Sequence, residues 1–171
     1  MKNLFFSIFF VLLLFNVSCI PDKCCQPPQP SSHIMADRNG VSWSSFWVNG
    51  TLSNVDSLKI YAITTTDATF PTSKVDSISF KIIYTALGNY SLHSNQVSYA
   101  TFTNGVAKSY QLDTTYNNVL TITGYDKIHN QATTNPDPIK ITATFSLKFI
   151  DPNNAAGISF ANGNFYTLIP Q

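Results

Sequence analysis

Any chemistry in this chain has to come from a short supply of reactive side chains. All nine acids are aspartate, the histidines are His33, His93 and His129, and the cysteines are Cys19, Cys24 and Cys25. Hydrolysis of a glycosidic bond needs two carboxylates held about 5–10 Å apart. Most of the aspartates stand instead beside turn-forming residues, as in Asp37-Arg38-Asn39-Gly40 and Asp151-Pro152-Asn153-Asn154, where a solvated cap is the ordinary role. The histidines have no His-x-x-x-His or other close metal spacing, and each reads as a surface or turn residue. No Gly-x-Ser-x-Gly elbow and no Gly-rich phosphate cradle occurs. Asp126, Asp137 and Asp151 bracket a polar loop and a long apolar stretch, and they offer oxygen ligands of the kind calcium takes. Their spacing does not match an EF-hand, and no Glu closes a site. The expectation is a protein with no catalytic residue, no metal and no cofactor.

The elements that would position these residues are strands. Ile139 to Ile150 alternates strictly: Ile139, Ile141, Ala143, Phe145, Leu147 and Phe149 on one side, Lys140, Thr142, Thr144, Ser146 and Lys148 on the other. Period two marks a strand with one dry face and one wet face. Burying each large apolar side chain is worth about 1.5–3 kcal/mol, and a single strand cannot do it without an opposing layer. Further strands are read at 34–36, 41–43, 45–48, 58–64, 78–85, 90–92, 97–103, 106–112, 119–125, 158–161 and 165–169. Asn-Gly pairs at 39–40, 49–50, 104–105 and 162–163 are read as the turns between them. Trp43 and Trp47 are expected to share a buried strand face; exposed, they would stack on a sugar ring. Two alike stretches, Ser53 to Leu58 and Ser73 to Ile78, are read as equivalent turns feeding neighbouring strands. No segment repeats at 3.6 residues over helical length. The expected fold is an all-β, antiparallel two-layer sandwich of about ten short strands, with a flattened lipocalin-like barrel as the alternative.

The start of the chain reads as an address. Met1-Lys2-Asn3 is a short basic opening, Leu4 to Phe15 is apolar apart from Ser7, and Asn16-Val17-Ser18-Cys19 follows. That is the build of a secretory signal, with an apolar run too short to span a bilayer. The stop at Cys19 resembles the lipobox of bacterial lipoproteins, in which the Cys thiol takes a diacylglycerol and becomes the new N-terminus. Asn16 departs from the usual apolar residue there, and cleavage near Ser18 by an ordinary signal peptidase is the competing reading. The expected organisation is a signal peptide over 1–18, a lipidated Cys and flexible Pro-rich tether over 19–33, and one domain over 34–171. No cysteine lies beyond residue 25, so a disulfide framework or Cys-ligated zinc within that domain is excluded. Charged residues are 11% of the chain and the formal net charge is +1. Loss of Lys2 with the leader leaves nine basic and nine acidic side chains, and a neutral chain has no electrostatic footprint for nucleic acid.

Met35-Ala36-Asp37-Arg38-Asn39-Gly40-Val41-Ser42-Trp43 resembles the opening of small Bacteroidota lipoproteins that carry a domain of unknown function. Leu120 to Asp126, Ala143 to Leu147 and Ile158 to Phe165 follow that family's order. Ala143 stands where the family usually has Gly, and the loop from Asp126 to Pro138 is longer than usual. The resemblance implies a lipid-anchored envelope protein and carries over no catalytic residue. With that source in view, Asp56-Ser57-Leu58, Asp76-Ser77-Ile78 and Asp113-Thr114-Thr115 look like the O-glycosylation acceptor of exported Bacteroidota proteins. That makes Ser57, Ser77 and Thr114 candidate acceptors, against the plain alternative that Asp-Ser is good turn chemistry.

The function expected is a non-enzymatic cell-envelope lipoprotein, a binding or structural accessory module held to the outer membrane. Its partners would be the membrane, through the lipid, and an envelope glycan or protein, with the Asp126–Pro138 loop as the first place to look. A carrier of a small apolar ligand and a glycan-acting hydrolase are the alternatives.

Overall fold

The alternation along the chain decides its fold. Residues 32–53, 57–65, 74–128, 137–153 and 157–170 are described by the structure, a computed structural model. Among them are eleven strands: β1 (His33–Arg38), β2 (Val41–Ser45), β3 (Trp47–Leu52), β4 (Ser57–Thr65), β5 (Lys74–Ile83), β6 (Gly88–Ser91), β7 (Val97–Thr103), β8 (Val106–Leu112), β9 (Val119–Lys127), β10 (Ile139–Ile150) and β11 (Gly157–Ile169). All pairings are antiparallel. One half runs β6-β9-β10-β11-β1-β2, the other β3-β4-β5-β7-β8.

The halves join at β10. Its first two thirds pair with β9, and its last two residues, Phe149 and Ile150, pair with Leu112 and Gln111 of β8. The two far edges, β2 and β3, are consecutive in the chain with Phe46 between them. The Ser45 hydroxyl donates to the carbonyl of Ile63, and that of Thr64 donates to Ser44 O at 2.7 Å, so β2 lies against β4. The sheet is thus nearly closed into a barrel, flattened so that its halves face each other. Sandwich and barrel describe the same object.

Rings fill the space between the halves. Phe80 and Tyr99 come from one half, Phe145, Phe149, Phe160 and Phe165 from the other, with centroids 5.3 Å apart for Phe80–Phe145 and 5.1 Å for Tyr99–Phe160. Every residue on the dry face of β10 is buried, as its alternation requires.

The Asn-Gly pairs divide. Asn39-Gly40 and Asn104-Gly105 are two-residue hairpins with both residues at positive φ (51° then 79°), the type I′ geometry whose twist matches the strands. The other two are not turns. Asn49 and Gly50 lie inside β3, where Gly50 is buried with the Thr167 and Ile169 side chains in the space a Cβ would take. Asn162 and Gly163 lie inside β11. Asn162 has φ 51°, and the register with β10 slips between Phe145 and Leu147, so the pair makes a bulge within one long strand. The equivalence of 53–58 and 73–78 also fails: Asp76 and Ser77 are inside β5, while β4 begins at Ser57 and Asp56 lies outside the described residues.

Candidate functional site

Three places hold polar or aromatic groups in arrangements that the strand pattern does not explain. The first is the junction of β8 and β10. Asn118, buried, donates to Asp113 O at 2.7 Å, while its carbonyl oxygen accepts from the Lys148 amide at 2.8 Å. The Asp113 amide donates to Lys148 O at 2.8 Å. The Asp113 carboxylate accepts from the Thr115 hydroxyl and amide and pairs with Lys148 at 3.1 Å. On the other side of the junction Asp151 pairs with Lys108 at 2.6 Å and accepts from the Asn153 amide. The Thr115 hydrogen bonds, with Lys148 behind them, hold Asp113 below the usual carboxylate range; Lys108 and then the Asn153 amide do the same for Asp151. These groups brace a ladder that is two residue pairs long. Their arrangement is structural.

The second place is an open cleft of about 330 Å³ where β1 meets β5, β7 and β8. Arg38 reaches across from β1 to the Asp76 carboxylate and donates to the Tyr99 hydroxyl at 3.2 Å. The Asp76 side chain is 6% exposed and that of Arg38 is 32% exposed. Burial, and then the nearby carboxylate, push the Tyr99 phenol above its ordinary range, so it stays protonated. Lys74, Thr101 and Tyr110 line the mouth. Asp76 is the one carboxylate among the described residues lining the cleft, and a guanidinium already occupies it. The arrangement suits binding of a polar or anionic group by Arg38, Lys74 and hydroxyls.

The third place is the crossing from β2 to β3. Trp43 is buried against Phe160, but Phe46 and Trp47 are 69% and 80% exposed. The expectation that both tryptophans bury is corrected at Trp47. Phe46 bends the chain from one half of the sheet to the other, so alternation does not carry across it.

The remaining candidates scatter. Ser77 is in the middle of β5, paired on both sides, and its hydroxyl lies 3.5 Å from Ala100 O. Ser57 opens β4. Thr114 is exposed in the turn after β8. Asp76 and Asp113, which head two of the acceptor patterns, are each buried and ion-paired, which gives both a structural reason to be there. Asp151 follows the C-terminal end of β10, whereas Asp126 and Asp137 flank its N-terminal end, so the three do not meet. His93 is exposed in a turn and His33 packs edge-on against Tyr166 at 5.1 Å. Cys19, Cys24, Cys25, His129 and residues 129–136 of the Asp126–Pro138 loop lie outside the described residues. The Arg38–Asp76–Tyr99 cluster has no local sequence signal, since its members are far apart in the chain and meet only when β1 packs over β5 and β7.

A family model described as a domain of unknown function (DUF6252) matches residues 31–169. No curated protein matches the chain, and no solved structure does.

Proposed function

The chain belongs to the DUF6252 family, and from that premise we propose a non-enzymatic cell-envelope lipoprotein whose domain binds an envelope ligand at the Arg38–Asp76–Tyr99 cleft. One observation carries the reading. An ion-paired cluster forms the floor of an open cleft, while the centre of the molecule is packed with rings. Ionised groups drawn away from water are costly unless fully paired, so a half-open guanidinium over a buried carboxylate marks a place where a further polar group is accommodated. The filled centre favours a surface-binding module over a carrier of an apolar ligand, which needs a hollow.

In this reading the signal is removed at Cys19, and the acylated Cys holds the protein to the outer membrane of a bacterium of the Bacteroidota, on its periplasmic or surface face. Two or more acyl chains give stable attachment without a spanning helix. The partner is an envelope glycan or protein bearing an acidic or hydroxyl-rich group. O-glycosylation is proposed at Ser57, Ser77 and Thr114. The exposure of Thr114 supports modification after folding, whereas Ser77 would have to be modified before β5 pairs.

The test is titration of the acylated protein with a panel of neutral and acidic oligosaccharides, followed by isothermal calorimetry. Thr101, the cross-strand neighbour of Asp76, lines the cleft, and Thr101→Tyr fills it while leaving both members of the ion pair in the chain. Binding by the parent that Thr101→Tyr abolishes supports the cleft. Binding that survives it moves the site, with the 126–138 loop tested next by partial deletion. Release of shorter saccharides during the titration would turn the reading to a hydrolase.

A further inference from the structure

We infer that the corner carrying Phe46 and Trp47 is a second, non-covalent membrane contact, seated at the headgroup–acyl boundary of the bilayer that holds the chain at Cys19. The inference rests on the lipid-anchor reading above. Three observations carry it.

The first is position. The described chain enters the domain at Ser32, whose hydroxyl accepts from the Leu168 amide at 3.0 Å, and Ile34 pairs with Ser45. Phe46 therefore follows the rung beside the point where the chain comes in. Residues 20–31 separate Cys19 from that point, and a chain of this length reaches at most about 45 Å. An anchor at Cys19 keeps this corner close to the bilayer. Contact becomes intramolecular in effect, so a weak partition of two rings is enough.

The second is the composition of the corner. Phe46 and Trp47 present adjacent exposed rings, and a shallow depression of about 200 Å³ beside them is lined by Ser44, Ile63 and Thr64. Met35, 42% exposed, stands one strand over, opposite Ser44. None of these side chains is charged.

The third is the order of residues away from the corner on the outer face. Trp47 lies opposite Ile63. Two residues on, Asn49 lies opposite Tyr61, and two further on Lys59 lies between Thr51 and Lys81. Tyr61, Lys59 and Lys81 are exposed. At ~3.4 Å per residue the lysine rung is about 14 Å from the Trp47 rung. Apolar tip, then phenol, then ammonium groups is the order of depth in an anionic bilayer. Lys59 and Lys81 are direct cross-strand neighbours, a placement in which like charges weaken a sheet. A lipid phosphate between them offsets that repulsion.

The chain supplies its own probe, because Trp43 and Trp47 are its two tryptophans, one buried and one exposed. Acylated protein is reconstituted in vesicles of phosphatidylethanolamine and phosphatidylglycerol, with bromine on the acyl carbons nearest the headgroup. The parent protein's emission should be blue-shifted in vesicles without bromine relative to the delipidated chain in buffer, and quenched when bromine is present, while Trp47→Phe shows neither change. Replacing phosphatidylglycerol by phosphatidylcholine, or making Lys59→Ser with Lys81→Ser, should weaken the quenching. Mass spectrometry of the Cys19 peptide reports the anchor separately. An acylated Cys19 with Trp47 emission untouched by bromine overturns the contact and leaves the anchor standing. A bare Cys19 overturns the anchor, and the same quenching with vesicles added to the purified chain then decides the contact alone. Trp47 emission that shifts with a soluble oligosaccharide but not with bromine overturns the contact in favour of saccharide stacking.

Discussion

Single residues in this protein act through what they pack against. Gly163 is buried, and an added Cβ would overlap the edge of the Phe145 ring, which is itself held by Phe80 and Phe165. Gly163→Ala should destabilise by about 1–3 kcal/mol through overpacking, read as a lower urea midpoint with an unchanged slope. Asp113 and Asp151 act through charge. Hydrogen bonds from Thr115 hold the Asp113 carboxylate, and Lys108 holds that of Asp151, below the ordinary aspartate range in the folded state. A depressed folded value adds stability above the unfolded pKa, and that stability is lost as the pH falls through the folded value. Stability should therefore hold from neutral pH down to the ordinary aspartate range and drop below it. Urea midpoints measured as a function of pH check this, and Asp151→Asn should lower the neutral plateau and flatten the acid limb.

At the scale of elements, the two type I′ hairpins depend on residues that tolerate positive φ. Gly105→Ala puts a Cβ at φ 79° with open space around it, so strain alone acts and the cost should be about 1 kcal/mol. Gly105→Asn should cost less, and thermal melts of the two variants give the comparison. The same dipeptide shows where reading the chain runs out. Asn-Gly at 39–40 and 104–105 was legible as a turn because strands of matching pattern flank it. Asn162-Gly163 uses the same left-handed Asn to make a bulge, and Asn49-Gly50 is extended because Thr167 and Ile169 crowd the backbone there. Local sequence reports which φ a residue accepts, not which strand lies alongside. The long β10 was legible to the residue because its dry face is continuous. Trp47 was not, because a bend at Phe46 resets the alternation. The cleft was not legible either, since Arg38 and Asp76 meet only through packing between the halves of the sheet.

At the scale of the whole molecule, the Arg38–Asp76 pair ties one half of the flattened barrel to the other. Arg38→Ala strips a buried carboxylate of its guanidinium and should cost about 3 kcal/mol. Adding Asp76→Ala should restore part of that loss, because the stranded charge goes with it. Urea denaturation of the two single variants and the double variant measures the coupling. The first strand has a further consequence. β1 lies between β11 and β2, hydrogen-bonded on both flanks. Tension applied to the chain ahead of Ser32 therefore loads two ladders in shear together and cannot peel β1 from a free margin. Resistance to such a load is governed by the height of the barrier to rupture rather than by equilibrium stability. A domain towed by its leading end, as a tethered one is, would keep its shape under drag that would unravel a fold whose first strand hung at the rim.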